Sequence, residues 1–345
     1  MPRTRQECLD WLRANPKDIE SGQNVEIGLF RPEDAEGVAR LYFAIYGDNF
    51  PMDYVYDPEQ IAAANAGPDL YHFVGRTPRG EVVGVSALFR IAPNPKIMES
   101  GGLMILPEYR GGFLVMNLSK ITLDIVPEKQ NLAAVFAQSV CDHLMTQKLA
   151  RRFGYHQFAL ELEAMPPRPE GSIDGVGGRI SLLNELRIYR DAPHAVHLPA
   201  CHAEFMGAAY AQWGLAREFH DGKPPEGATQ SEVQRMDTAA LVKLLVAAPG
   251  ADLAEAIEAF EAGHPGRHAY HLHLPLAHAG TPAAVETARK HGYFYGGVLP
   301  MWTGTDVLML QKLAVAPDFS LPRLLSDKAR ELMAYIQTDW AAVGR

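Results

Sequence analysis

Cysteine is scarce in this chain, with three in 345 residues: Cys8, Cys141 and Cys201. An odd, sparse set is not a disulfide framework, and a reduced cytoplasmic setting is expected. No apolar run reaches roughly 18 residues, and the N-terminus carries no apolar h-region, so neither a membrane span nor a signal peptide is expected. Blocks of like charge are also missing. Basic residues are scattered and the formal net charge is −9. Nucleic acid and an anionic membrane surface are disfavoured as partners, because both need a basic patch.

What is present suits a globular enzyme or binding protein. Hydrophobic residues make up 47% of the chain, enough for a sizeable core, and the length suggests two domains. The most informative stretch is Gly102-Leu-Met-Ile-Leu-Pro-Glu-Tyr-Arg-Gly-Gly112. Leu103–Leu106 fits a short buried strand, and Pro107 ends it because proline cannot donate to a ladder. Arg110, Gly111 and Gly112 form a tight turn. Leu114, Leu118, Ile121 and Ile125 then resume at helical spacing. A strand, a glycine turn and a helix start bring free N–H groups and a helix dipole together, which suits an anion.

Pro107-Glu-Tyr-Arg-Gly111 resembles the central motif of the GCN5-related N-acetyltransferases, in which Arg/Gln-x-x-Gly-x-Gly/Ala follows the fourth strand. Val25–Phe30 with the following Arg31–Leu41 is similar to that family's first strand and helix. Tyr71–Gly75, the Pro78–Gly80 turn and Glu81–Phe89 are similar to its central hairpin. Gln147–Tyr155 is similar to its later helix and the strand after it. The resemblance covers about residues 25–166. It implies an α/β (α+β) fold of the acyl-CoA N-acyltransferase type, a mixed, largely antiparallel sheet with flanking helices. It also implies acetyl-CoA as co-substrate, an amine acceptor and direct attack in a ternary complex.

The resemblance places the coenzyme pyrophosphate at Arg110, Gly111, Gly112, Phe113 and Leu114. Backbone N–H groups around Ile105 and Leu106 would meet the thioester oxygen, as preorganised donors do in an oxyanion hole. Glu99 lies eleven residues before Arg110, where many members place an acidic residue, and would be the base. His143 and Gln147, one helical turn apart, would share a face and contact the coenzyme or protonate the thiolate. The chain departs from the family's pattern at Phe113 and Val115, where small residues are expected and where Phe113 would crowd the turn. It departs again at Ala150, where a tyrosine acid often stands. These departures motivate an alternative reading, a non-catalytic protein of this fold that senses a ligand or acts as a subunit. A homodimer is compatible with either.

Residues 1–24 are expected to form a helical appendage, with a helix over 4–15, and residues 25–166 the coenzyme-binding domain. Residues 167–178, rich in proline and glycine, read as a linker. Residues 179–345 form a second, divergent module of a tandem. Its warrant is a short internal repeat, Ala150-Arg-Arg-Phe-Gly-Tyr155 recurring as Ala288-Arg-Lys-His-Gly-Tyr293. Both copies read as a helix closed by glycine before a strand. Arg187–Arg190 and Ala195–Leu198 are expected as strands, and Ala203–Gly214 and Leu253–Ala262 as helices. Pro249-Gly250-Ala251-Asp252 reads as an ordinary helix entry, so the second module is expected to bind no coenzyme. The groups His194, His197, Cys201, His202 and His268, His271, His273, His278 lack a specific metal spacing, and no metal is expected. Tyr42, Phe43, Tyr46, Phe50, Tyr54 and Tyr56 form an aromatic run. Those beyond Gly47 are expected to be exposed near the acceptor.

Overall fold

Thr4 and Glu7 close a reciprocal capping box, and helix α1 (Arg5–Ala14) starts there. The computed structural model describes residues 3–48, 50, 52–110, 113–168 and 177–343. Cys8, Leu9 and Leu12 of α1 enter the core of the first of two units, Met1–Val135. Arg5 donates to the Asp48 and Phe50 carbonyls and pairs with Asp53 at 2.6 Å. The helix therefore ties down the loop that carries the aromatic run.

The sheet of this unit is an antiparallel meander of β1 (Glu26–Leu29), β2 (Leu70–Arg76), β3 (Val82–Phe89) and β4 (Ile97–Ile105). Helices α2 (Ala35–Tyr46) and α3 (Pro58–Ala66) intervene between β1 and β2. Gly37 lets α2 lie close on β3, because a carbon there would sit 2.4 Å from Val82 Cγ2. A buried ion pair fixes the helix start: Arg76 Nε donates to Asp34 at 2.5 Å, and Arg76 also reaches the Leu29 carbonyl. Helix α4 (Leu114–Lys120) continues through a π turn into α5 (Val126–Lys129). Carbons added to Gly75 and Gly84 would each lie 3.1 Å from Leu114, so its side chain packs on bare backbone there. Burying a leucine in this way contributes roughly 1.5–3 kcal/mol.

Strand β5 (Ala134–Val140) begins in the first unit and runs into the second, Phe136–Arg345. There, α6 (Met145–Arg152) leads to β6 (His156–Met165), which pairs antiparallel with β7 (Ile180–Ile188), from His156↔Leu186 to Met165↔Ile180. Residues 167–178 thus join the two arms of one hairpin and do not link domains; 169–176 lie outside the described residues. Proline and glycine mark a loop of any kind, and composition alone cannot say which strands pair across it. The expected strand at Arg187–Arg190 is likewise only the tail of β7, with 189 and 190 already in a bend.

Next come β8 (His194–His197), α7 (Ala203–Trp213) and β9 (Arg217–His220), with β8 and β9 paired in parallel. They are followed by β10 (Gln230–Met236), β11 (Leu241–Ala248), α8 (Leu253–Ala262), β12 (Ala269–Pro275), α9 (Thr281–Lys290), β13 (Phe294–Leu299), β14 (Val307–Leu313) and α10 (Asp327–Val343). Strands β11 and β12 run parallel across α8, while β12–β14, β13–β14 and β10–β11 are antiparallel. The fold is thus a mixed, largely antiparallel sheet with flanking helices.

The internal repeat has a structural counterpart. Gly154 (φ +75°) and Gly292 (φ +88°) close α6 and α9 in the left-handed region. In both, the tyrosine after the glycine donates its N–H to the alanine carbonyl five residues back, at 3.1 Å. Each cap leads into an antiparallel hairpin, β6–β7 or β13–β14. The two hairpins meet where Ala159 pairs with Gly297, and the buried Gln311 amide bonds both Leu160 O and Leu162 N.

Candidate functional site

Strand β4 is buried at both ends and half-exposed in its middle, from Glu99 to Leu103. The register explains this. Ala87 pairs with Gly101 but Val85 pairs with Met104, so Ser86 alone opposes Gly102 and Leu103. This is a β-bulge, and Gly102 adopts φ +59° to make it. A carbon on Gly101 would meet the Phe89 ring at 3.0 Å. One on Gly102 would meet the Tyr42 hydroxyl at 3.4 Å and Phe89 at 3.5 Å. Glu99 is the cross-strand partner of Phe89 and lies two residues before Gly101. Because side chains alternate along a strand, Glu99 shares this face with Phe89, the bulge and Tyr42.

Beyond the bulge the strand ends at Pro107, and a short turn carries Tyr109 and Arg110 toward α4. Tyr109 anchors the turn by donating to the Glu20 carbonyl at 2.5 Å. Arg110 is exposed, and its Nε donates to the Ile105 carbonyl at 3.0 Å. Gly111 and Gly112 lie outside the described residues. Phe113 immediately precedes α4 and is 82% exposed. Leu114 faces the sheet, so only its backbone is available to a ligand.

Three expectations need correction. The Leu106 N–H is committed to the Val83 carbonyl at 3.0 Å, so it cannot serve a thioester oxygen. The Ile105 N–H is not affected by this: antiparallel alternation points it away from β3, while the Ile105 carbonyl accepts from Arg110. Gln147 is 2% exposed and belongs to the fold: its amide donates to Arg323 O at 2.8 Å and accepts from Leu325 N–H at 2.9 Å. It does not face a coenzyme. His143 lies outside α6, two residues before its start, and its Nδ1 accepts the Met145 N–H at 3.2 Å. It therefore shares no helical face with Gln147.

The aromatic run is also more inward than expected. Tyr56 is fully buried, accepts the Phe50 N–H at 3.1 Å and lies under the Arg5 guanidinium. Burial raises the Tyr54 pKa. Tyr46 and Met52 remain exposed. The bulge at Gly102 was the feature the sequence reading missed. The adjacent Gly101-Gly102 pair inside a strand pattern was the signal for it.

In the second unit, the turn after β11 is satisfied by the chain itself. Gly250 N–H donates to Thr229 Oγ1 at 3.0 Å and Ala251 N–H to the Gly227 carbonyl at 2.9 Å, while Asp252 accepts the Thr229 N–H. A carbon on Gly250 would overlap Thr229 N at 2.3 Å. Those donors have no room for an anion.

His271 and His273 do share a face of β12, with rings stacked 6.5 Å apart. Their neighbour is Glu161, whose carboxylate takes Asn184 and Gln138 at 2.9 and 3.0 Å and Lys243 at 3.3 Å. Burial opposes charge on Glu161, but Lys243, His271, Asn184 and His273 outweigh it and hold the carboxyl down to about 2. Burial lowers His271 to about 4. Among the described residues no group of three His, Cys, Asp or Glu side chains is arranged to hold a metal ion. Cys141 is buried and burial raises its pKa, which disfavours a thiolate. Among the described residues no helix is long and apolar enough to cross a membrane.

No family model and no curated protein matches the chain. Solved structures do. The ribosomal-protein-S5-alanine acetyltransferase from Vibrio fischeri aligns at 14% identity and a TM-score of 0.38, over 50% of this chain and 97% of the other. An acetyltransferase of the GNAT family, the GCN5-related group, from Streptococcus pneumoniae aligns at 12% identity and a TM-score of 0.41, over 48% and 100%. A proposed acetyltransferase from Salmonella typhimurium, solved with its cofactor acetyl-CoA, aligns at 13% identity and a TM-score of 0.39, over 49% and 96%.

Proposed function

We propose that this chain is an acyl-CoA-dependent N-acyltransferase of the GCN5-related kind, transferring an acetyl group from acetyl-CoA to an amine. The observation that carries the reading is the bulge in β4. It opens the middle of a sheet strand directly before the Pro107–Arg110 turn and α4. A β-bulge breaks the regular β3–β4 ladder in the strand's middle, and bulges often sit beside binding sites, where an extended ligand can meet the strand.

The residues fit such a ligand in part. Arg110 and the backbone at the head of α4 would hold the pyrophosphate, with Gly111 and Gly112 between them. Exposed Phe113 would border it. Glu99, on the bulge face, would accept the amine proton as the amine nitrogen bonds to the acyl carbon and the thiolate leaves. Ile105 contributes by fixing Arg110 through its carbonyl. The occupied turn at Gly250 supports a single coenzyme site, in the first half of the chain.

The alternative, a non-catalytic protein of this fold that senses a ligand or acts as a subunit, rests on Phe113 and Val115 standing where small residues are usual and on Ala150 standing where a tyrosine acid is usual. Calorimetric titration with acetyl-CoA, followed by thiol release in the presence of a panel of amines, separates the two readings. Binding with turnover supports the enzyme, and binding without turnover for any amine supports the alternative. No binding at millimolar acetyl-CoA removes the enzyme reading and leaves the alternative with another ligand or a subunit role.

A further inference from the structure

Tyr42 of α2 is 1% exposed, and its ring is wedged between Tyr46, stacked at 6.4 Å, and Phe50, edge-on at 4.9 Å. Such packing fixes the direction of the hydroxyl. Among the described residues no hydrogen bond engages that hydroxyl, and it is not one of the enclosed unpartnered polar atoms, as the Tyr293 and Tyr295 hydroxyls are, so it keeps access to a ligand. Tyr56, from the same aromatic run, uses its hydroxyl to accept the Phe50 N–H. A hydroxyl whose position is fixed by packing and which no protein group engages is left to pair with water or a ligand. The Tyr42 oxygen stands beside the Gly102 bulge, close to where a side chain on Gly102 would begin. The bulge is also where a residue of β4 drops out of the β3–β4 ladder.

A neutral side-chain donor on this face would add to what the strand backbone supplies. The Leu106 N–H at the strand end is taken by Val83, so it cannot polarise an acyl oxygen. The phenol remains neutral and able to donate, because burial, with smaller contributions from Tyr54 and Tyr46, raises its pKa far above the ordinary tyrosine value. It faces Phe89 across the bulge, and Glu99 occupies the same face. Base and donor are therefore on one side of β4, as addition of an amine to a carbonyl requires: one group takes the amine proton and the other steadies the charge growing on oxygen.

We propose that the Tyr42 hydroxyl donates a hydrogen bond to the carbonyl oxygen of the acyl group being transferred, above the Gly101–Gly102 bulge. The inference rests on the acyl-CoA reading and gives that reading its electrophilic partner. The hydroxyl keeps its proton throughout, and only the strength of the hydrogen bond changes as the carbonyl oxygen gains charge.

Tyr42→Phe keeps the ring and removes the oxygen alone. Acetyl-CoA labelled with carbon-13 at the thioester carbonyl would be bound to wild-type and variant protein and examined by isotope-edited infrared spectroscopy. The expected result is a bound carbonyl band at lower frequency in wild type than in the variant. Acetyl-CoA affinity should stay within about twofold, because one neutral hydrogen bond to a weakly basic thioester adds little in the ground state. The melting temperature of the variant without ligand should not fall, since it loses no internal hydrogen bond. Coincident bands in the two proteins would overturn the proposal while leaving the acyl-CoA reading intact. A clear loss of melting temperature in the variant would overturn it too, by showing that the hydroxyl serves the fold. Failure of wild-type protein to bind acetyl-CoA would remove the acyl-CoA reading itself, and this inference with it.

Discussion

Glu185 on β7 is fully buried, and among the described residues its carboxyl meets only neutral donors, Ser139 Oγ and Gln157 Nε2. Burial raises its pKa to about 7, against a partial lowering by those two hydrogen bonds. A carboxyl whose folded pKa lies above its unfolded value stabilises the fold fully below about pH 4.5 and loses that contribution as pH rises through about 7. Glu185→Gln supplies a neutral side chain at every pH. The variant should therefore match wild type near pH 5 and exceed it at pH 8, by on the order of 3 kcal/mol for a shift of this size. Melting curves of both proteins from pH 5 to 8 check this, and parallel curves would refute it. Gln147 gives a second test at this scale. Its amide bonds backbone on both sides, at Arg323 and Leu325, so Gln147→Ala should cost about 1–3 kcal/mol. Acetyl-CoA affinity should not change. A variant that keeps its stability and loses the coenzyme would return Gln147 to the binding site.

Helix and strand identities follow from local pattern, but their contacts depend on where glycine lets backbones meet. Gly297 on β13 has φ +142°, and a carbon there would overlap Ala159 Cα at 2.3 Å. This is the point where the two hairpins of the second unit pair. Gly297→Ala should destabilise the protein by more than about 3 kcal/mol, since both the backbone angle and the strand contact oppose it. Chemical denaturation would measure the loss; a change under about 1 kcal/mol would show that the hairpins can separate cheaply. The glycines closing α6 and α9 differ, because a carbon at Gly154 meets nothing within 4 Å. Those two were legible from sequence, since a helix followed by glycine and a strand is a local signal. The role of Gly297 was not, because its partner Ala159 is 138 residues away in the chain.

At the scale of the molecule, the hairpin β6–β7 replaces the linker that the Pro/Gly-rich residues 167–178 suggested. Strand β6 has β7 on one edge and β13 on the other, and Phe158, Leu160 and Leu162 are at most 1% exposed. A fragment ending at residue 170 removes both partner strands. It should be insoluble or fail to unfold cooperatively, because two strand edges and their apolar faces become bare. Sedimentation and urea unfolding of the fragment test this, and a soluble, cooperatively folding monomer would show that β6 needs neither neighbour.

The sequence by itself determined the element types, the helix closures at Gly154 and Gly292, the strand–turn–helix succession around Arg110 and the absence of any covalent framework. Each is set by residues within a few positions of one another, so propensity and hydrophobic period suffice. Tertiary structure decided what those elements are used for. It spent the Leu106 N–H on Val83, turned Gln147 into a clamp on the segment before α10, buried Tyr56 and filled the Gly250 turn with its own loop. It also set Tyr42 beside the β4 bulge, across 60 residues of chain. Hydrogen-bond donors are finite, and which acceptor each one meets depends on pairing register and packing between distant segments, which no local pattern encodes.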